Sequence, residues 1–192
     1  SFDIKGIGKS GGKFNEEKLD WVNKEHLKKQ KADWDVFYIN TYMPNELREH
    51  QKYDSLISKI APVILERISK GSDIPKLHEE GELSYYFDQP VYDSAKLVWK
   101  TSTKEKTLMY FEKLADILNK SQESSFTDTE SIKNLFWNYA EEQGRGDVLW
   151  PLRVSLSGRD KSPDPFTLLH ILGKDEGLKR VQYAYELLQK LA

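Results

Sequence analysis

"STKEKTLMYFEKLADIL", residues 102–118, is the stretch that decides the fold class. Ser102 followed three places later by Glu105 is a capping-box signature, so a helix is expected to begin there. Behind it, Leu108, Phe111, Leu114 and Leu118 recur at helical spacing, which gives one apolar stripe opposite a charged face. "TDTESIKNLFWNYAEEQG", residues 127–144, repeats the plan. Thr127 and Glu130 form a second box, Ile132, Leu135, Phe136 and Tyr139 form the stripe, and Gly144 suits the stop.

The same reading extends outward. Asp164 followed by Pro165 starts a short helix that ends at Gly173, and a last helix carries Leu178, Val181, Tyr185 and Leu188. Toward the other end, Asn15 can cap a helix from Glu16 to about Lys29, with Leu19, Val22 and Leu27 on its apolar side. Pro44 suits the first turn of one longer helix through residue 70. Leu56, Ile57, Ile60, Ile64 and Ile68 line one side of it, and Pro62 is expected to kink or break it. "WDVFYINTYM", residues 34–43, is ambiguous between helix and strand. The expectation is an all-α protein. Breaks near residues 30–34, in "SKGSDIPKLHEEGE" (69–82) and in "KTSTKE" (100–105) divide it into an entry segment, residues 1–33, and two successive helical bundles, 34–100 and 101–192. The aromatic group Trp34, Phe37, Tyr38, Tyr85, Tyr86, Phe87 and Trp99 is expected to pack the first bundle, and Trp21 to be core.

Composition narrows the function classes. The 192 residues can bury a sizeable core, and 38% hydrophobic with 31% charged residues is ordinary for a globular domain. A formal net charge of −2 supplies no long-range attraction for nucleic acid, so such a partner must be met by a local basic patch. With no cysteine there is neither a disulfide frame nor a thiolate metal site. No apolar run approaches the roughly 20 residues that span a membrane. The opening "SFDIKGIGKSGG" reads as the inside of a longer chain.

Catalytic signals do not survive inspection. "GIGKSGGKF", residues 6–14, lacks the phosphate-loop spacing, because Asp3 and Ile7 stand where the first glycine is required; it reads as a flexible turn. His26, His50, His78 and His170 have no metal-ligand spacing. The carboxylates lie on solvated faces among lysines, and no acid–base pair stands out.

Two ordered motifs carry a resemblance. "KFNEEKLDWVNKEHLKK", residues 13–29, is similar to a segment of bacterial glutamyl-tRNA synthetases, with Phe14, Lys18, Leu19, Trp21 and Asn23 matching, while Asn15, His26 and Leu27 depart from the pattern. "LWPLRVSLSGRDKSPDPF", residues 149–166, resembles that family's Pro-Leu-Arg block through Pro151, Leu152, Arg153, Leu156, Ser157, Gly158, Ser162 and Pro163, followed by Leu172, Gly173 and Lys174; Asp175 and Glu176 differ. The resemblance implies the C-terminal part of a glutamate–tRNA ligase, a class I synthetase. Residues 1–33 would end the stem-contacting domain, and the two bundles would form the helical anticodon-binding region. The implied partners are tRNA(Glu), through its anticodon loop, and an upstream catalytic domain of the same chain. No membrane is implied, and the resemblance suggests a monomer in a bacterial cytoplasm or an organelle. ATP and magnesium would serve the parent enzyme, and this piece would need no cofactor and would not be catalytic.

The resemblance also assigns residues. Arg153, and Ser162 and Pro165 in the adjoining turn, would contact the anticodon loop; Arg159, Lys161 and Lys18 would meet the tRNA backbone. Splayed anticodon bases stack on aromatic or guanidinium planes and are read on their Watson–Crick edges, and a guanidinium offers donors in a fixed fork. By itself, Arg153 also reads as a structural arginine bonding helix C-terminal carbonyls. Arg67, in "VILERISK", would read the third anticodon base: cytosine presents the N3 and O2 acceptors, whereas guanine presents donors along that edge, so a donor-only side chain accepts C and rejects G. The connection after Arg67 is longer than the family's usual one. A different class stays open, a helical protein-interaction module that binds no RNA.

Overall fold

The structure of the chain, a computed structural model, describes residues 15–27 and 32–191. Among the described residues there is no strand, in line with the expected all-α class, and nine α-helices carry the fold. Four belong to the N-terminal half besides the entry helix: α1 is Glu16–Leu27, α2 Ala32–Tyr42, α3 Asn45–Arg48, α4 Tyr53–Arg67 and α5 Asp73–Glu79. After two short 3-10 turns come α6 (Lys104–Lys120), α7 (Thr129–Gln143), α8 (Arg145–Ser157) and α9 (Pro165–Gln189). The glycine-rich stretch at residues 6–14 lies outside the described residues, as does the expected end of the first helix at Lys29.

The C-terminal half is built on α9, which packs along α6, α7 and α8. Phe111, Leu114 and Leu118 of α6, Ile132 and Phe136 of α7, and Val181, Ala184 and Leu188 of α9 are all buried in that core. In the N-terminal half, α4 is the centre: α1, α2 and α3 each touch it, and Ile57, Ile60, Ile64 and Leu65 turn inward. α4 also packs against α9, so the buried side chains of the two halves run together. The ambiguous segment at 34–43 is helical, because its buried positions, Ile39 and Met43, fall four apart on one face of α2 and its continuation.

Several expectations need correction. The helix expected from Pro44 to residue 70 is two helices, α3 and α4, with a turn at Glu49–Lys52 closed by a bond from the Tyr53 amide to the His50 carbonyl, 2.8 Å. Pro62 does not break α4. It lies on the exposed face of the helix, one turn after the likewise exposed Ser58. Both caps sit one residue later than the boxes suggested. The Thr103 hydroxyl accepts the Lys106 amide and the Asp128 carboxylate accepts the Ser131 amide, while the Ser102 amide closes a turn on Trp99 and the Thr127 hydroxyl bonds the Ser124 carbonyl. Trp21 is not core but 63% exposed; the one buried residue of α1 is Leu27, and Leu19 and Val22 are exposed with Trp21. Phe37 likewise points out, and Trp99 leaves the first-bundle cluster to lie against α8 at Gly146. By contrast, the expected helix end at Gly173 is there: the backbone leaves the helix at φ 78° and ψ 173°, and a second helical run with Leu178, Val181, Tyr185 and Leu188 follows, so α9 is two helices joined across a kink.

Candidate nucleic-acid interface

The connection between α8 and α9, residues 158–164, positions the candidate site. Gly158 ends α8 at φ 69°, a left-handed conformation, and a Cβ there would come within 2.9 Å of Pro90 and Tyr92. At the other end the Asp164 carboxylate accepts the Phe166 and Thr167 amides, with Pro165 in the first helical turn. In between, the Ser157 hydroxyl donates to the Arg153 carbonyl at 2.9 Å and lies 3.1 Å from the Ser162 hydroxyl. A short loop is thereby held from both helices.

A groove opens on each side of this loop. The first, about 710 Å3, runs between α4 and the loop; Lys59, Pro62 and Arg67 form one wall and Lys161, Ser162, Thr167 and His170 the other. The second, about 290 Å3, is lined by Trp99, Arg145, Trp150, Arg153 and Pro165. Asp164 borders both. The loop is thus a ridge, with Arg67 on one flank and Arg153 on the other.

Arg153 is half-buried on α8, whose neighbouring positions Leu152, Val154 and Leu156 are fully buried. Its guanidinium lies 4.8 Å from the Trp150 ring centre, and one Nη donates to the Asp160 carbonyl at 2.9 Å. That acceptor is a carbonyl of the loop and not one of the helix C-terminal carbonyls that a purely structural arginine was expected to bond. Trp150 is itself fixed, since its indole Nε1 donates to the Lys96 carbonyl at 2.7 Å and its ring lies 4.8 Å from that of Trp99. An aromatic floor under an oriented cation is a stacking platform for a planar base.

Arg67 ends α4 with its side chain 28% exposed. Its Nη2 donates to Glu82 at 2.6 Å and its Nη1 reaches the Tyr85 hydroxyl at 3.4 Å. Burial works against its charge, but the Glu82 bond and the surrounding acidic and phenolic groups outweigh that and hold its pKa above the ordinary value. Arg159 is less available than the sequence suggested: Nη2 pairs with the other Glu82 oxygen and Nη1 with the Glu80 carbonyl, both at 2.9 Å. Lys161 is exposed at the first groove, Ser162 is half-buried there, and Pro165 is buried at the edge of the second. Lys18 is exposed on α1 and lines neither groove. Among the described residues no group of three His, Asp or Glu side chains is placed to hold a metal ion, and no helix is long and apolar enough to cross a membrane.

Sequence reasoning missed three contributors: Trp150 and Trp99, which frame Arg153, and Glu82, which holds Arg67 and Arg159. Trp150 stands three residues before Arg153, and helical spacing puts the two on one face, so it was legible. Glu82 was not, because its partners lie 15 and 77 residues away.

Comparison with known proteins agrees with this geometry. Residues 21–185 match a family model described as an anticodon binding domain. The chain is 29% identical to a glutamate–tRNA ligase of Clostridium acetobutylicum, covering 98% of this chain and 38% of that protein. It is 30% identical to the corresponding enzyme of Clostridium novyi, again over 98% of this chain and 38% of the relative. Among solved structures, a glutamate tRNA ligase from Elizabethkingia meningosepticum in complex with its amino acid superposes with a TM-score of 0.73 at 25% identity, over 96% of this chain and 35% of that one. The chain therefore spans well under half the length of these relatives.

Proposed function

Since the chain belongs to the anticodon binding domain family, we propose that it is the anticodon-reading part of a glutamate–tRNA ligase and that its ligand is the anticodon loop of tRNA(Glu). The observation that carries this reading is the ridge at 158–164, which sets a guanidinium at the mouth of each of two grooves. The parent protein would join glutamate to tRNA with ATP and magnesium, and the length these relatives have beyond this chain would carry that chemistry. It would act in the cytoplasm of a bacterium or in an organelle, as a monomer.

The residues take the following roles. One splayed base stacks on the Arg153–Trp150 platform and is fixed along its edge by the free guanidinium donors. Ser162 and Pro165 shape the turn against which the loop lies. Arg67 donates to the N3 and O2 acceptors of cytosine at the third anticodon position and meets donors if guanine stands there. A wrong partner at a base edge costs about 1–3 kcal/mol, so the preference for C is roughly five- to 150-fold. Lys161 and Lys18 add phosphate contacts, which are blind to sequence and fall off with salt. Arg159 reaches the backbone only with the donors that Glu82 and Glu80 leave over.

The direct test is titration of this chain with a glutamate-tRNA anticodon stem-loop carrying C or G at the third position, at two salt concentrations. Tighter binding of the C version, weakened by Arg153→Ala and by Arg67→Ala, is the expected result. Absence of binding to either version at low salt would favour a helical protein-interaction module instead. In the parent enzyme, equal charging of glutamine tRNA and glutamate tRNA would remove the discriminating role given to Arg67.

A further inference from the structure

One carboxylate joins the ridge to its Arg67 flank. Glu82 is 8% exposed, yet it has two arginines on it, Arg67 at 2.6 Å through Oε2 and Arg159 at 2.9 Å through Oε1. The two come from different places, Arg67 from the end of α4 and Arg159 from the loop after α8. We propose that Glu82 is the positioning residue of the anticodon site: it aims the Arg67 guanidinium at the third anticodon base and ties the ridge to α4 through Arg159. The inference rests on the proposed reading of the site and adds the residue that gives Arg67 its direction.

The local chain is built to present this carboxylate. α5 ends in a paired-turn closure: the Gly81 amide bonds the His78 carbonyl and the Glu82 amide bonds the Leu77 carbonyl, each at 2.8 Å. That closure needs φ 73° at Gly81, and a Cβ there would lie 3.1 Å from the Arg159 guanidinium. Glycine is thus required for the turn and leaves room for Arg159 to lie across it and reach the Glu80 carbonyl. The segment is the one that makes the connection after Arg67 long, and its last residue supplies the acceptor.

The charges explain why one carboxylate serves two cations. A buried Glu82 without a partner would be costly, and a single arginine would neutralise it and leave no net charge to attract an anionic ligand, though that arginine would keep its free donors. With two arginines the cluster retains a net positive charge, held at the groove where Arg67 opens. Arg67 has one Nη on Glu82 and the other near Tyr85, so its plane is fixed and its donors keep one orientation toward the groove. A freely rotating guanidinium would bind phosphate as well but would discriminate bases poorly, because discrimination needs donors at fixed places along the base edge.

The test compares the wild-type chain with Glu82→Gln and Arg159→Gln, using the C and G stem-loops, with melting temperature recorded for each. Glutamine keeps the shape, gives up the charge and turns an amide donor toward one arginine. In Glu82→Gln the C-over-G preference is expected to fall from roughly tenfold to within about twofold. In Arg159→Gln, which frees the loop and leaves the Arg67 pair, both stem-loops should weaken alike and the preference should persist. Adding Glu82→Gln to Arg67→Ala should leave the preference where Arg67→Ala alone puts it. A wild-type preference that survives Glu82→Gln overturns the inference and leaves the reading of the site intact. If Glu82→Gln does not fold at the assay temperature, Arg159→Gln decides: loss of the preference there overturns the assignment to Glu82 and Arg67. Absence of any binding by the wild-type chain overturns the inference together with the reading beneath it.

Discussion

Arg153 stands against the Trp150 ring with one donor committed to Asp160, so the contact proposed for it would draw on a plane as much as on a charge. Arg153→Ala should weaken stem-loop binding by about 1–3 kcal/mol, roughly five- to 150-fold, and Arg153→Lys should recover only part of it, because lysine restores charge without the stacking plane. Fluorescence anisotropy of a labelled stem-loop measures both; full recovery by lysine would mean that Arg153 acts on phosphate alone. A second prediction at this scale concerns acid. Burial of Glu176 would raise its pKa, but the Arg180 bond and charge, with Lys52 nearby, outweigh that and hold it below the usual glutamate range. Its folded pKa is depressed, so its stabilisation is complete above the unfolded value, about 4.3, and is lost as the pH falls through the folded value. Glu176→Gln should therefore lower stability at neutral pH and flatten the loss between about pH 5 and pH 3 in melting curves. A variant with the same acid slope as the wild type would show that other carboxylates carry it.

At the scale of elements, the helix ends decide more than the helix interiors. α9 starts on the Asp164 cap and breaks at Gly173, where φ 78° with ψ 173° is open essentially to glycine alone. Nothing lies within 4 Å of a Cβ built there, so strain and not collision is the penalty. Gly173→Ala should cost about 1–3 kcal/mol in urea unfolding with the slope unchanged, and a neutral result would mean that the break relaxes into continuous helix. The break also frees a carbonyl, at His170, and Lys59 of α4 donates to it at 3.0 Å. Existence and type of the elements were readable wherever a stripe of apolar residues was long, as in α6 and α7. Boundaries were not. Thr103 and Asp128 took the capping role from Ser102 and Thr127 because adjacent polar residues compete for the same amides, and the turn that precedes each helix chooses between them. Pro62 misled as well: it stands on an exposed face, and α4 runs through it to Arg67.

Over the whole molecule, the two halves are joined by buried polar ties as well as by apolar contact. Arg180, fully buried on α9, bonds Glu176 at 2.8 Å, the carbonyls of Tyr85 and Leu156 at 2.6 Å, and that of Asp88 at 3.0 Å. Desolvation lowers its pKa, and Glu176 restores part of the loss. Arg180→Met removes every one of these bonds and should destabilise by about 3–5 kcal/mol, since three carbonyls and a carboxylate are left without it. With those ties in place, calorimetry of the chain should give a single unfolding transition; two resolved transitions would mean that residues 34–100 and 101–192 fold as independent bodies. The sequence by itself determined the all-α class and the helices with long apolar stripes, α6 and α7, because each follows from residues within a few turns of one another. Tertiary structure alone decided that Trp21 and Phe37 face outward, that Arg67 and Arg153 flank one ridge, and that Arg159 is bound to Glu82. Those facts depend on which helix face meets which neighbour across up to about a hundred residues, and helical periodicity reports that a face is apolar without saying what will cover it.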